Sequence, residues 1–326
     1  FTMDYDLPND TAYNETCASV ALVMWASRML KIYPSGQYAD IMERALYNGV
    51  LSGISLEGTK YFYVNPLEIN PTVCIRRNDM SRTSIEREPW FICSCCPTNV
   101  ARLILGLKEY FYSFCKGTIW LHLYNDSTIS IGNKNNRFEL KQITNYPWDG
   151  NIKIIVQGEG DYTLALRIPG WCRSYNVTIN NKNLLKDAED GYLYIKRNWI
   201  HGDEINLDFV MPTEKIYSSP LIKSTSGKVA IQRGPLVYCI EEKDNGNALS
   251  SIRLSGEKFT ICHESEILEG ITTIETKGYR EIVSYQYPYY NAPPDMKEIT
   301  VKLIPYYAWN NRGIGEMAVW IRDING

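Results

Sequence analysis

Apolar residues recur at helical spacing through the first third of the chain. Between residues 13 and 30 they occupy nearly every side, which predicts a helix buried on most faces. Over residues 35–53 they follow i, i+3, i+4 and i+7, which predicts an amphipathic helix. The same spacing covers residues 100–111, with Pro97 predicted at the first helical position and Cys96 beside it at the cap.

Beyond residue 116 the pattern changes to alternating or short β-rich runs separated by turn residues. The predicted strands are 118–124, 138–144, 152–156, 162–168, 175–179, 192–195 and 205–210, followed by a second set at 228–239, 299–304 and 317–321. A switch from helices to strands, rather than an alternation of the two, predicts separate domains. The simplest interpretation is a helical region over residues 1–115 and two β-sandwich domains over 116–215 and 216–326.

Composition narrows the class of partner. The 326 residues contain 34 Lys and Arg against 37 Asp and Glu, and no basic run could neutralise a line of phosphates, so nucleic acid is excluded as an expected partner. The longest apolar stretch, residues 18–26, is far shorter than the roughly 20 residues that cross a bilayer, so no membrane segment is expected. The first residues lack the features of a signal peptide, and the chain reads as the later part of a longer protein.

Cysteine usage favours a reducing compartment. The count is nine, which is odd, and the spacing is irregular, unlike a disulfide framework. The cytoplasm is therefore the expected location, although sequons beginning at Asn14, Asn125 and Asn176 leave secretion open. A homodimer stays open as the state of assembly.

Four side chains form a candidate metal site. Glu15 and Cys17 lie at one predicted helix start, and Cys95 and Cys96 at another. Zinc binds thiolates and accepts a carboxylate oxygen, so a tetrahedron of three cysteines and one glutamate is chemically reasonable. Spacing alone does not establish it, because positions i and i+2 of a regular helix face different directions.

The other candidate side chains have simpler interpretations. Buried free cysteine usually acts as a small apolar residue, and five cysteines are given that role: Cys74, Cys115, Cys172, Cys239 and Cys262. Cys93 is expected to support the neighbouring pair rather than to bind metal. The histidines His122, His201 and His263 lack the spacing of a zinc site and are expected to be surface or satisfied core residues.

Five segments in order resemble the bacterial β-L-arabinofuranosidase family of glycoside hydrolases, family 127. They are LPNDTAYNETCA at 7–18, YFYVNPLE at 61–68, WFICSCCPTNVAR at 90–102, QRGPLVYC at 232–239 and IPYYAW at 304–309. The resemblance extends from Leu7 to Trp320. It implies that residues 1–115 are the last helices of an (α/α)6 barrel, that two β-sandwich domains follow, and that a preceding barrel segment is missing.

The resemblance also implies a reaction and its residues. Zn²⁺ would be held by Glu15, Cys17, Cys95 and Cys96, and Cys95 would be the nucleophile of a retaining hydrolase. Tyr63 and Glu15 would contact the sugar. The substrate would be a plant-derived glycan carrying terminal β-L-arabinofuranose or a related sugar.

One required group falls outside the chain. Retention needs a carboxylate that protonates the leaving group and later activates water, and the resemblance places it upstream of Phe1. The 326 residues alone are therefore expected to be inactive.

Two other interpretations stay open. The chain could be a non-catalytic glycan-binding or structural fragment whose cysteines have a structural role. A redox protein built on Cys93, Cys95 and Cys96 ranks last, because no C-x-x-C motif lies in a βαβ setting.

Overall fold

The longer helices precede the longer strands, as the hydrophobic pattern predicts. The computed structural model describes residues 3–133, 136–282, 289 and 291–326. Helix α1 spans Thr16–Ile32 and α2 spans Gly36–Arg44, after which the chain continues as a π-helical turn over Ala45–Val50 and a 3₁₀ turn over Leu51–Gly53. The predicted helix over 35–53 is thus present but changes its winding at Ala45. The widened turn contains Asn48, whose side chain donates to the Pro235 carbonyl and accepts from the Val237 amide.

The later helices are shorter than the sequence predicts. They are α3 (Pro71–Cys74), α4 (Cys95–Leu105) and α5 (Lys108–Phe111), with a 3₁₀ turn over Asn78–Met80 and a further short helix α6 (Glu242–Asn245) in the β-rich part. The predicted cap is wrong: α4 begins at Cys95, so Cys96 and Pro97 lie inside its first turn. Proline is tolerated there because the first amides of a helix have no intrahelical acceptor. No helix within the described ranges has the length and apolarity that spanning a membrane requires.

Two sheets occupy the middle of the chain. Their strands are β2 (Tyr112–Cys115), β3 (Thr118–Leu121), β4 (Ser127–Asn133), β5 (Asn136–Thr144), β6 (Asn151–Gln157), β7 (Gly160–Arg167), β8 (Tyr175–Ile179), β9 (Lys182–Asn183), β10 (Tyr192–Trp199) and β11 (Glu204–Phe209), after the short β1 (Glu68–Ile69). One sheet has the order β10-β7-β3-β2 and the other β4-β5-β6-β11-β8-β9. The Phe138 ring of one sheet contacts the Tyr162 ring of the other, with the ring centres 4.5 Å apart.

The last third forms a ring of strands. Its strands are β12 (Thr213–Ile216), β13 (Lys228–Arg233), β14 (Leu236–Glu241), β15 (Ile252–Glu264), β16 (Ile271–Ile282), β17 (Asp295–Pro305), β18 (Met317–Ala318) and β19 (Ile321–Asp323). The pairing runs β14-β17-β16-β15-β19-β13, and β13 also pairs with β14. These pairings close the six strands into a ring, whereas the sequence predicts a β-sandwich.

Two sequence predictions fail in this ring for identifiable reasons. The predicted strand over 228–239 is a hairpin, because Gly234 adopts φ 55° and turns the chain before Pro235. Strands β15 and β16 were not predicted. Each carries polar residues on its more exposed positions, so neither shows a long apolar alternation.

The contacts divide the chain into two compact units. The first contains residues 1–19, 47–100 and 213–326, which include the ring of strands. The second contains residues 20–46 and 101–212, which include the two middle sheets. Each unit therefore combines segments from the helical and the β-rich parts of the sequence.

A buried ion pair stabilises the second unit. The Arg167 side chain is fully buried, and its guanidinium binds Glu43, which is itself almost completely buried. Arg167 Nη1 also lies 2.7 Å from Asp40. The Glu43 carboxylate also accepts hydrogen bonds from the Tyr146 hydroxyl at 2.6 Å and from the Trp171 indole at 3.2 Å. Three side chains therefore donate to this one carboxylate.

We expect Glu43→Gln to lower the free energy of unfolding by about 3 kcal/mol, because it leaves the buried Arg167 charge without its main partner. The measurement is urea denaturation of both proteins. Glu298→Gln is the control, since it removes the exposed ion pair with Lys277 (N–O distance 3.1 Å) and should cost less than about 0.5 kcal/mol. Equal costs for the two variants would contradict this assignment.

Candidate active site

The start of α1 is fixed against an extended segment of the chain. Glu15 lies just before the helix and forms an isolated antiparallel bridge with Val64. The Thr16 amide donates to the Tyr63 carbonyl at 3.0 Å, and the Thr16 hydroxyl donates to the Phe62 carbonyl at 2.8 Å. Because Glu15 is outside the helix, the difficulty of two ligands at i and i+2 on a regular helix does not arise.

Asn65 secures this junction from the other side. Its amide nitrogen donates to the Thr16 hydroxyl at 2.9 Å and to the Asn14 carbonyl at 3.2 Å, and its carbonyl accepts from the Ser52 hydroxyl at 3.1 Å. The Gly53 backbone also packs directly against Thr16, because a Cβ atom at that position would lie 2.4 Å from the Thr16 hydroxyl. The Thr16, Ser52 and Asn65 side chains are buried and hydrogen-bonded, which makes the junction rigid.

The four candidate ligands meet where α1 and α4 begin. The Cys17 and Cys96 sulfurs are 3.4 Å apart, the Cys95 and Cys96 sulfurs are 3.8 Å apart, and the Cys95 sulfur lies 3.6 Å from Glu15 Oε1. All four donor atoms lie within 4.8 Å of one another. The structure therefore brings together every residue of the candidate metal site.

The spacing and chemistry of these donors fit Zn²⁺. Tetrahedral coordination with Zn–S bonds of about 2.3 Å places neighbouring sulfurs about 3.8 Å apart, close to the separations observed. Burial raises the pKa of the Cys95 and Cys96 thiols above the usual value, so both are protonated at neutral pH unless a cation offsets the cost of ionisation. A cation bound among the four donors would supply that offset.

Asn99 is a contact that the sequence analysis missed. Its side-chain amide donates to the Cys17 sulfur at 3.1 Å, which favours a thiolate at that position. Asn99 lies one helical turn after Cys95 and Cys96 and therefore shares their face of α4. That spacing was the available signal.

Aromatic side chains adjoin the cluster. The Tyr63 ring makes edge contacts with Tyr13 at 6.2 Å and with Phe91 at 5.9 Å, and the Tyr13 and Tyr63 hydroxyls are hydrogen-bonded to each other at 3.3 Å. Arg82 Nη1 donates to the Tyr13 oxygen at 2.6 Å. The hydrogen bond with Tyr13, with burial as a second cause, raises the pKa of Tyr63 well above its usual value, so Tyr63 stays neutral.

Sequence reasoning identified Tyr63 but missed Tyr13, Phe91 and Arg82. Tyr13 precedes Glu15 by two residues, so in an extended segment both point to the same side. Phe91 and Arg82 carried no comparable signal.

The remaining cysteines and one histidine can be compared with their predicted roles. Cys74 and Cys239 are buried, as predicted, whereas Cys115 is exposed, so its predicted role as a small core residue is wrong. Cys93 is exposed, and its supporting role stays a prediction. His122 is a satisfied core residue, with ring nitrogens 2.6 Å from the Tyr192 hydroxyl and 2.8 Å from the Ser113 hydroxyl.

Family profiles match nearly the whole chain in three parts. The β-L-arabinofuranosidase GH127 catalytic domain matches residues 1–109, the GH127 middle domain matches 118–211, and the glycoside hydrolase family 127 C-terminal domain matches 213–322. A relative described as a non-reducing end β-L-arabinofuranosidase from Bifidobacterium longum subsp. longum is 39% identical over 338 residues, covering 99% of this chain and 51% of its own length.

Solved structures give the same result. A GH127 β-L-arabinofuranosidase from Geobacillus stearothermophilus T6 superimposes with a TM-score of 0.94 at 46% identity, over 99% of this chain and 52% of its own. A second GH127 β-arabinofuranosidase superimposes with a TM-score of 0.90 at 36% identity, over 99% of this chain and 51% of its own. The chain thus spans about half the length of the relatives it matches. These matches, in the order that the family's domains take along the sequence, mean that the chain belongs to glycoside hydrolase family 127, the β-L-arabinofuranosidase family.

Proposed function

We propose that this chain supplies the nucleophile and the metal ligands of a zinc-dependent retaining glycoside hydrolase. Its substrate would be a plant-derived glycan that carries terminal β-L-arabinofuranose or a related sugar. The observation that carries the proposal is the meeting of Glu15 and three cysteines within 4.8 Å of one another. Family membership and the β-L-arabinofuranosidase activity named for the relatives support the substrate class.

Glu15, Cys17, Cys95 and Cys96 would hold the metal. When bound, Zn²⁺ would keep the cysteine sulfurs ionised at neutral pH, against the burial that raises the pKa of Cys95 and Cys96. Cys96 is completely buried and suits a permanent ligand, whereas Cys95 is partly exposed and is the sulfur that a sugar could approach.

Cys95 would act as the nucleophile. Its thiolate attacks the anomeric carbon, the bond from that carbon to the leaving oxygen breaks, and a carboxylic acid protonates that oxygen. Water then attacks the same carbon, the carboxylate takes the proton of the water, and Cys95 leaves as a thiolate. Two inversions give net retention of configuration.

Tyr63 and Glu15 would contact the sugar. The neutral Tyr63 presents a ring face and a hydroxyl, both of which suit carbohydrate. The Tyr63 hydroxyl could exchange its hydrogen bond with Tyr13 for one with a sugar oxygen. Glu15 would help to hold the metal and would also accept a hydrogen bond from a sugar hydroxyl.

The domain organisation follows the same proposal. Residues 1–115 would be the last helices of an (α/α)6 barrel whose other helices belong to a preceding segment, and 116–215 would be a β-sandwich domain. Residues 216–326, predicted as a second β-sandwich, contain the closed ring of strands instead. Family profiles for a catalytic, a middle and a C-terminal domain support this order. All nine cysteines are free, which supports the cytoplasm as the location.

We expect the purified, reduced chain to bind about one Zn²⁺, and Glu15→Gln or Cys96→Ala to weaken binding by at least about 100-fold, because each removes one of four ligands. Elemental analysis after dialysis and competition with a chromogenic chelator are the measurements. Cys74→Ala is the control, since Cys74 is buried outside the cluster. A folded chain that retains no zinc would favour a structural fragment instead.

In a complete enzyme that includes the barrel, Cys95→Ser should abolish turnover while Cys96→Ser should mainly weaken zinc retention. The reason is that only Cys95 would form a bond to the sugar. Steady-state hydrolysis of an aryl β-L-arabinofuranoside and zinc content, measured on the same samples, separate the two effects. Equal zinc loss with equal residual activity in both variants would contradict the separate roles given to Cys95 and Cys96.

We expect the 326-residue chain alone not to hydrolyse that substrate, because Glu15, the carboxylate beside Cys95, would be occupied by the metal. The measurement is release of the aryl alcohol by the zinc-loaded chain, with a complete family member as positive control. Turnover abolished by Cys95→Ser would overturn this expectation.

A further inference from the structure

We propose that Arg87 and Trp309 are positioning residues for the metal cluster, acting through Phe62 on the first turn of α1. This inference rests on the proposed function, because it assigns a role in shaping the same site. It concerns residues of the first compact unit alone, and neither Arg87 nor Trp309 contributes a ligand.

Arg87 is a buried cation held by main-chain oxygens. Its side chain donates to the Ser52 carbonyl at 2.9 Å from Nη2 and to the Trp309 carbonyl at 2.8 Å from Nη1, and the residue is 4% exposed. The ion pairs formed by the described residues do not include it. A buried charge without a counter-charge is costly. An arginine at this position therefore indicates a role that an apolar side chain could not fill.

That role is to hold the Phe62 ring in place. The Arg87 guanidinium carbon lies 4.6 Å from the centre of this ring, and the Trp309 ring stacks on it at 4.7 Å with an interplanar angle of 7°. Phe62 is completely buried, and its amide donates to the Gly53 carbonyl at 3.0 Å. A planar guanidinium can stack on a ring and bond two carbonyls at once, which a lysine ammonium cannot do.

Phe62 connects directly to the metal ligands. Its carbonyl accepts from the Thr16 hydroxyl, the Tyr63 carbonyl accepts from the Thr16 amide, and Val64 bridges to Glu15. Three consecutive residues of one segment therefore set the backbone that precedes Cys17. A shift of the Phe62 ring would move Glu15 and Tyr63 together.

The two positioning residues come from distant parts of the sequence. Trp309 follows the 3₁₀ turn Tyr306–Ala308 at the end of β17, in the ring of strands. Arg87 precedes Glu88, which exchanges main-chain hydrogen bonds of 2.8 Å with Tyr61. The ring of strands thereby fixes a segment of the candidate active site that lies more than two hundred residues earlier in the chain.

Cobalt binding to the full 326-residue chain tests the proposal. Co²⁺ replaces Zn²⁺ in thiolate sites and reports ligand geometry through its visible and thiolate charge-transfer bands, so the readout does not depend on turnover. We expect Arg87→Met to weaken Co²⁺ binding by about 10-fold or more and to alter the spectrum, as loss of a supporting contact does at other metal sites. Arg87→Lys should recover only part of the affinity.

Arg253→Met is the matched control. Arg253 is an arginine of the same unit, paired with Glu281 at 2.7 Å and remote from Phe62 in its contacts. Its loss should lower stability and leave the cobalt spectrum and affinity as in the wild type. Circular dichroism at the titration temperature establishes that each variant is folded.

A double-mutant cycle identifies the route of the effect. Thr16→Val removes the hydroxyl that binds the Phe62 carbonyl, so combining it with Arg87→Met should cost less affinity than the sum of the single changes. Trp309→Phe replaces Arg87→Met in the cycle if the latter does not fold. Additive losses would overturn the proposed route.

The two levels of the proposal fail differently. If the wild-type chain binds no Co²⁺, the proposed metal site itself is wrong. If the wild type binds and folded Arg87→Met or Trp309→Phe binds with the same affinity and spectrum, the metal site stands and the positioning role is wrong.

Discussion

The hydrogen bonds between Thr16 and the segment 62–63 are the constraint on which the candidate site depends. They decide where α1 begins, and therefore leave Glu15 extended and Cys17 in the first helical turn. A net buried hydrogen bond contributes only about 1 kcal/mol, but an unpaired buried donor costs more, so the junction has few alternatives. Rigidity at this point allows four ligand atoms from two helix starts to share one small volume.

The β-rich C-terminal part supports the candidate site. The Tyr306 hydroxyl donates to the Pro66 carbonyl at 2.8 Å, and β1 pairs with β18, so the segment after the Phe62 junction is attached to the ring of strands. The Val319 amide donates to the Leu67 carbonyl at 2.8 Å. The compact unit that holds the ligands consequently includes residues 213–326, although these residues provide none of the four ligands.

Burial has opposing effects on the cysteines. It raises the pKa of Cys95 and Cys96, which disfavours the thiolates that a metal and a nucleophilic reaction both need. The same low-dielectric surroundings strengthen the attraction between a divalent cation and each ionised sulfur. The Asn99 amide and the N-terminus of α4 add partial positive charge on the same side, so the site favours anionic sulfur once a cation is present.

The sequence by itself determined the order of helices and strands, the family resemblance and the identity of the four candidate ligands. These follow from local periodicity and from side-chain chemistry, which are properties of short segments. The tertiary structure decided the closed ring of strands, the contacts of Tyr13 and Phe91 with Tyr63, and the contacts of Asn99 and Arg87. Each of these depends on which distant segments pair, as β13 does with β14 and Phe62 does with Trp309, and such pairing is set by the packing of the whole unit rather than by any local pattern.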